Sequence, residues 1–218
     1  MKDSEDDVYG AMWPILHAVT FKYILLYASF MNVIIVHGCP DSEERVLDPA
    51  KRTFDKHWLP WLKRELEARG IAAQSPLMPR PWQPVYEDYK DVFDKLLVNE
   101  ASVLIGHSCG CAFLVRWLGQ TRKKIAKLML VAPWKIPDEV GDVKKAFYEY
   151  PIDSFVSERV ARIIYFTADD EDDDGKESLR LFHDVLGGEI ISLEGHGHYC
   201  LGDMGTEEFP ELLERVLE

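Results

Sequence analysis

The chain has 218 residues, of which 47% are hydrophobic and 29% are charged, a balance typical of one globular domain with a sizeable core. Its formal net charge of −13 argues against a nucleic-acid partner or an anionic membrane surface, because like charges repel. The four cysteines have no spacing of the kind that staples small secreted proteins, so we predict a reducing, cytoplasmic location. We also expect a monomer or a weak dimer.

The first thirty residues differ from the rest of the chain. They begin with an acidic stretch and continue with apolar and aromatic residues that Pro14, His17 and Lys22 interrupt. A signal peptide needs a positive start, and a membrane-spanning helix needs about 20 mostly apolar residues. We therefore predict an N-terminal extension over 1–30 and one domain over 31–218, with a weak membrane-associating or signal-anchor segment as the alternative.

Predicted strands and helices alternate along the remainder. The predicted strands cover residues 32–37, 71–78, 102–106, 125–132, 162–167 and 189–193. The predicted helices cover residues 60–69, 85–98, 110–118, 176–186 and 207–217, and 133–160 is predicted as loop with one or two short helices. This alternation predicts a three-layer α/β/α fold with a mostly parallel sheet of about six strands. Ligands of such sheets bind beyond the carboxyl ends of the strands.

A candidate nucleophile follows the third predicted strand. Residues 106–110, Gly-His-Ser-Cys-Gly, fit the pattern G-x-S-x-G between a strand and a helix, which is the context of a nucleophile elbow. The two glycines would leave room where the strand and helix backbones nearly touch. Ser108 is therefore the predicted nucleophile, and an ordinary glycine-rich turn is the alternative.

A serine nucleophile needs a base and an acid, which follow it along the chain in the order acid, then histidine. An acidic run over 169–174 comes after the fifth predicted strand. Counting four residues from the last apolar strand residue selects Asp170 as the acid, with Asp169 and Asp172 left open.

The base is expected after the sixth predicted strand, in Gly-His-Gly-His over 195–198. Either histidine could reach the serine. We favour His198, because it leads into the loop before the last helix, and keep His196 as the alternative.

An oxyanion intermediate needs two main-chain N–H donors. The residue after the serine, Cys109, is expected to supply one, and Cys39 in the loop after the first strand the other. Both act through the backbone, so their thiols are incidental to this step. An apolar or aromatic substrate pocket is predicted from loop residues at the same edge: Met78, Trp82, Trp134 and Tyr199.

Several motifs give the chain a family resemblance: VIIVHG, HWLPWLKRELEARG, the proline-rich loop after PLMP, IGHSCG, LMLVAPW, the acidic turn after IIYFTA, and EGHGHY. With these the chain resembles the small α/β-hydrolase-fold serine hydrolases related to retinoblastoma-binding protein nine and to bacterial YdeN-like proteins. The resemblance implies a compact sheet without a large lid, with Ser108 as nucleophile, Asp170 as acid and His198 as base. The family usually has small or turn-forming residues where this chain has 171–174, Glu-Asp-Asp-Asp, so the position of the acid stays open.

These residues predict a serine hydrolase that cleaves a small-molecule acyl or peptide substrate (an ester, thioester or amide) without a cofactor or metal. One alternative is a metal site drawn from His37, Cys39, His107, Cys109, Cys111, His198 and Cys200. Their spacings do not follow the paired pattern of zinc sites. The other alternative is a protein-binding module on a hydrolase scaffold. The L-x-C-x-E segment often tied to that role in the family is not found in the sequence.

Overall fold

The computed structural model describes residues 31–40, 42–48, 50–52, 56–137 and 142–218. The predicted extension over 1–30 lies outside the described residues. Within the described ranges, no helix combines the length and the apolar character needed to cross a membrane.

Six parallel strands form one sheet, as predicted. They are β1 (Asn32–Val36), β2 (Ala72–Gln74), β3 (Val103–His107), β4 (Ile125–Val131), β5 (Val160–Ala168) and β6 (Glu189–Leu193). Their order across the sheet is β2-β1-β3-β4-β5-β6, and every neighbouring pair is parallel. The chain steps from β1 outward to β2 and then returns to the other side of β1 to form β3. The direction of winding therefore reverses between β1 and β3, and such a reversal opens a crevice for ligands at the carboxyl ends of these two strands.

Helices cover both faces of the sheet. They are α1 (Glu44–Leu47), α2 (Trp58–Ala68), α3 (Tyr86–Phe93), α4 (Cys109–Thr121), α5 (Asp142–Tyr148), α6 (Val156–Arg159), α7 (Asp173–Leu186), α8 (Leu201–Met204) and α9 (Pro210–Leu217). Buried side chains of α2 and α9 form one core with the sheet, and those of α3 to α7 form the other.

Each strand can contribute side chains to both cores, because successive strand residues point to opposite faces of the sheet. On β1, Val33 and Ile35 join the core under α2 and α9, whereas Ile34 and Val36 join the core under α3 to α7. All four side chains are fully buried. This explains the near-continuous apolar run, and it confirms the predicted three-layer α/β/α architecture.

Several element boundaries differ from prediction, and two of the differences have clear local reasons. Strand β2 has three residues instead of eight, because Pro76 follows closely and has no N–H to donate to a neighbouring strand. Helix α7 begins three residues earlier than predicted. The carboxylate of Asp172 accepts a hydrogen bond from Gly175 N at 2.7 Å and caps the helix, and the acidic residues that follow favour a helix N-terminus.

Candidate active site

Ser108 lies in the tight turn between β3 and α4. Its backbone angles are φ 52° and ψ −123°, a left-handed conformation that is strained for a residue with a side chain. Two backbone hydrogen bonds stabilise this conformation: Ser108 N donates to Val131 O at 3.0 Å, and Ser108 O accepts from Cys111 N at 3.0 Å. The turn therefore raises the hydroxyl at the carboxyl edge of the sheet, as a nucleophile elbow requires.

The flanking glycines are required by close backbone approach. A Cβ on Gly106 would lie 2.7 Å from Cys111 N, and a Cβ on Gly110 would lie 2.5 Å from Val36 O. Real Cβ atoms do not approach backbone atoms this closely, so any side chain at either position would force β1, β3 and α4 apart. The five-residue motif is thus a packing requirement as well as a chemical one.

His198 faces the serine. Its Nε2 lies 2.9 Å from Ser108 Oγ, and its Nδ1 lies 3.1 Å from both carboxylate oxygens of Glu171. With the proton on Nδ1, the imidazole donates to Glu171 and accepts from the Ser108 hydroxyl. A nucleophile, a base and an orienting carboxylate are therefore within hydrogen-bond reach of one another.

The structure places Glu171, and not the predicted Asp170, against the imidazole. Strand β5 continues to Ala168, and a turn then carries Glu171 inward, where it is only 4% exposed. Asp170 is exposed, and its carboxylate accepts instead from the backbone N–H of Gly197 at 2.8 Å. The contact expected of the acid is therefore made by Glu171 and not by Asp170.

The other two acids that the sequence left open have structural contacts. Asp169 accepts from Gly195 N at 2.8 Å, while Asp172 caps α7. Together with Asp170, Asp169 ties the loop after β5 to the loop that carries the histidines. The acidic run thus has three structural roles: Asp169 and Asp170 fix a loop backbone, Asp172 caps a helix, and Glu171 contacts the imidazole.

Glycine at position 175 makes room for Glu171. A Cβ there would lie 2.6 Å from the Glu171 carboxyl carbon. The carboxylate lies at the N-terminal end of α7 and also accepts from the backbone N–H of Asp172 at 3.1 Å. The positive end of the helix dipole therefore stabilises a negative charge at this point.

The backbone of His198 is held independently of its ring. His198 N donates to Asp203 Oδ2 at 3.2 Å, and His107 Nε2 donates to His198 O at 2.9 Å. The alternative base, His196, bonds through Nδ1 to Glu194 O at 2.7 Å and packs against Tyr199 and Phe209. The geometry thus brings His198, and not His196, to Ser108.

A disulfide joins the two residues predicted to donate to an oxyanion. Cys39 and Cys109 are bonded across 70 residues of sequence, with their Cα atoms 5.8 Å apart. Neither residue therefore carries a free thiol, and that both act through the backbone stays a prediction. Because both sulfurs are in the disulfide, Cys39 and Cys109 are not available as ligands of the alternative metal site. Cytoplasmic location stays a prediction, and the disulfide counts against it because such bonds persist mainly in oxidising compartments.

The four predicted pocket residues differ in burial: Trp134 and Trp82 are half-buried, whereas Met78 and Tyr199 are buried in the two cores. The half-buried Trp134 packs edge-on against the His198 ring, with centroids 5.4 Å apart. Met78 is buried in the core that contains Cys109, so its predicted place in the pocket is corrected to a structural one, and Trp82 is half-buried in the loop before α3. Tyr199 points into the other core, where it is fully buried and its hydroxyl donates to Thr167 O at 2.6 Å, so its place in the pocket is corrected to a structural one.

Two further histidines, His107 and His57, lie beside the site, and their roles were not predicted from the sequence. Burial lowers the pKa of His107 well below its usual range, and the nearby His198 lowers it further. Burial also lowers the pKa of His57 to about 4, although Asp203 opposes this shift. The neutral His57 ring accepts from Leu201 N at 3.0 Å and thus fixes the start of α8. Both rings are uncharged at neutral pH.

The lowered pKa of His57 predicts that the protein loses stability in mild acid. The folded pKa of His57, about 4, lies below the unfolded value of about 6.5, so the unfolded chain binds the proton more tightly. The stabilising contribution of neutral His57 is complete above the unfolded pKa and is lost as the pH falls toward 4. Urea titrations at pH 7 and pH 4.5 should show the free energy of unfolding decreasing for the native chain and decreasing less for His57→Asn, which keeps an acceptor for Leu201 N. An equal decrease in both proteins would show that His57 does not contribute.

Comparison with known proteins shows the family and the fold of this chain. A family model described as "Serine hydrolase" matches residues 33–217. YdeN of Bacillus subtilis (strain 168), which is named as a hydrolase, is 39% identical over 105 residues, an alignment that spans 46% of this chain and about half (50%) of the relative.

Solved structures show the same fold. The crystal structure of the YdeN product of B. subtilis superposes with a TM-score of 0.72 at 22% identity, covering 85% of this chain and 96% of that one. A monoacylglycerol lipase from Paleococcus ferrophilus superposes with a TM-score of 0.52 at 13% identity, covering 85% and 91%. The YdeN-like part of the predicted resemblance is confirmed, whereas the link to retinoblastoma-binding protein nine stays a resemblance. With the family match extending over nearly the whole described chain, the protein belongs to the serine hydrolase family.

Proposed function

We propose that this protein hydrolyses a small carboxylic ester, thioester or amide through an acyl-enzyme formed on Ser108. The observation that carries the proposal is the continuous set of contacts from Ser108 Oγ to His198 Nε2 at 2.9 Å and from His198 Nδ1 to the Glu171 carboxylate at 3.1 Å. It is the arrangement by which a serine hydroxyl, otherwise a weak nucleophile, is activated.

In the first half of the reaction, Ser108 Oγ attacks the substrate carbonyl while His198 Nε2 takes the hydroxyl proton. Glu171 holds the imidazole in the required tautomer and stabilises the imidazolium that forms. The tetrahedral intermediate then collapses. His198 gives its proton to the leaving alcohol, thiol or amine, and the acyl group stays on Ser108.

The negative oxygen of the intermediate would be held by the main-chain N–H groups of Cys39 and Cys109. Cys109 is the first residue of α4, so its N–H has no acceptor within the helix and lies at the positive end of the helix dipole. The 5.8 Å separation of the two Cα atoms supports convergence of both donors on one oxygen.

In the second half, a water molecule replaces the leaving group. His198 takes a proton from the water, which attacks the acyl carbon, and then returns a proton to Ser108 as the acid is released. Trp134, packed against His198, gives the site an aromatic wall and supports an apolar or aromatic acyl group.

The test is labelling and turnover by the native chain. We expect a fluorophosphonate probe to label the protein on one serine, and a panel of p-nitrophenyl esters and aminoacyl amides to reveal the preferred acyl group. Peptide mapping should place the label on Ser108. A folded protein that neither labels nor turns over any member of the panel would refute the proposal and favour the protein-binding alternative.

A further inference from the structure

The two proposed oxyanion donors come from separate loops. Cys39 lies beyond the end of β1, whereas Cys109 begins α4 directly after the nucleophile. An oxyanion hole is effective only if both N–H groups are fixed before the charge develops. The position of one loop relative to the other therefore sets how well the site stabilises the intermediate.

The peptide that carries the Cys39 N–H is oriented by a neighbour. His37 accepts from Met78 N through Nε2 at 3.0 Å, so its Nδ1 carries the proton and donates to Gly38 O at 2.7 Å. Carbonyl and N–H point in opposite directions in a trans peptide, so the N–H of Cys39 points away from the His37 ring.

The same peptide also lies close to the nucleophile. A Cβ placed on Gly38 would be 3.1 Å from the Cβ of Ser108, so the loop after β1 runs directly beside the elbow. The disulfide then ties the Cα of Cys39 to the Cα of Cys109 at 5.8 Å. The hydrogen bond from His37 sets the direction of the first donor, and the covalent bond sets its distance from the second.

We infer that the Cys39–Cys109 disulfide is a positioning element of the oxyanion hole, which holds the two main-chain donors at the spacing that the transition state requires. The inference rests on the proposed acyl-transfer function. The sulfurs themselves do not touch the reacting atoms. Opening the disulfide should weaken transition-state binding and leave ground-state binding largely intact.

Reduction opens the bond without altering the sequence. A dithiol such as dithiothreitol gives two electrons and two protons, the S–S bond breaks to two cysteine thiols, and the dithiol closes to its cyclic disulfide. Because loss of one oxyanion donor lowers kcat by about 10²–10³ fold, we expect a displaced donor to lower kcat by about 10–100 fold. KM should change little, since the substrate carbonyl does not yet carry the full charge.

The experiment compares oxidised, reduced and reoxidised full-length protein with Cys39→Ala/Cys109→Ala. Thiol titration in denaturant should give two thiols before reduction and four after it, since the chain has four cysteines and Cys39 and Cys109 share the disulfide. We expect the reduced protein and the double variant to lose kcat on a p-nitrophenyl ester and to bind a phenylboronic acid, which mimics the tetrahedral intermediate, more weakly by a similar factor. Reoxidation should restore both properties in the native chain and in Cys200→Ser, which keeps Cys39 and Cys109, but not in the double variant.

The outcomes separate positioning from stability. A disulfide that only stabilises the fold would lower the melting temperature but leave kcat and boronate affinity, measured well below that temperature, within about twofold of the oxidised protein. That result, or four free thiols before reduction, overturns the inference. If the double variant does not fold, the reduced and reoxidised native protein gives the answer. Absence of probe labelling in the oxidised native chain would instead refute the proposed function itself.

Discussion

Replacing Ser108 by alanine is expected to lower kcat for ester hydrolysis by about 10⁴–10⁶ fold and to abolish fluorophosphonate labelling. The hydroxyl is the only group of the proposed mechanism that bonds covalently to substrate, and the methyl group of alanine cannot attack a carbonyl. His198→Ala should have a similar effect, because without the imidazole the hydroxyl keeps its proton. The measurement is steady-state turnover of the best p-nitrophenyl ester from the panel.

The double variant Ser108→Ala/His198→Ala provides a sharper test. Groups that act as one unit give non-additive losses, so the double variant should be no slower than the worse single variant. Ser157→Ala, at an exposed serine on α6, is the matched control and should keep native turnover. Retained labelling of Ser108→Ala would show that another residue is the nucleophile.

The second large effect is expected at Glu171. Changing it to glutamine removes the negative charge that orients and stabilises the imidazolium, and we expect kcat to fall by about 10²–10⁴ fold with little change in KM. Asp170→Asn is the matched comparison, since its side-chain oxygen can still accept from Gly197 N. Its kcat should fall by less than about fivefold.

This pair of variants decides between two adjacent carboxylates. The structure gives Glu171 the imidazole contact and Asp170 a backbone contact, although the family resemblance implies Asp170 as the acid. A large loss of kcat for Asp170→Asn together with native turnover for Glu171→Gln would reverse the assignment. Circular dichroism of both variants is needed as a control for folding, because each carboxylate also contacts the backbone.

The fold was predictable because its signals are local and repeated. Runs of β-branched residues identify buried parallel strands, and G-x-S-x-G between a strand and a helix identifies the turn at Ser108. Strand ends were less certain, since the carboxyl end of β5 depends on a turn and not on apolar content. The predicted strand ends at Thr167 and β5 ends at Ala168, and counting along the chain from Phe166 does not reveal the turn that carries Glu171 inward.

A signal for Glu171 was nevertheless present in the sequence. The buried positions of α7 are Gly175, Ser178, Phe182 and Leu186, at helical spacing. Recognising Asp172 as the helix cap would have placed Glu171 directly before it, a position whose side chain often packs back against the first turns of the helix.

The disulfide could not be predicted from spacing. Cys39 and Cys109 are 70 residues apart and meet only because β1 and β3 are neighbours in the sheet. The order of the strands was not available from the pattern of elements. Once β1 and β3 are adjacent, the loops that follow them lie side by side, and the two cysteines come within bonding distance.

The uncharged imidazoles around His198 have a consequence for how the proton travels. In the proposed mechanism His198 alone becomes positive, and its ring centroid is 5.5 Å from that of His107. A chain of basic rings could conduct the proton away to solvent, but His107 and His57 are too weakly basic to accept it. In the proposed mechanism the proton removed from Ser108 therefore stays on His198, where the departing group can collect it.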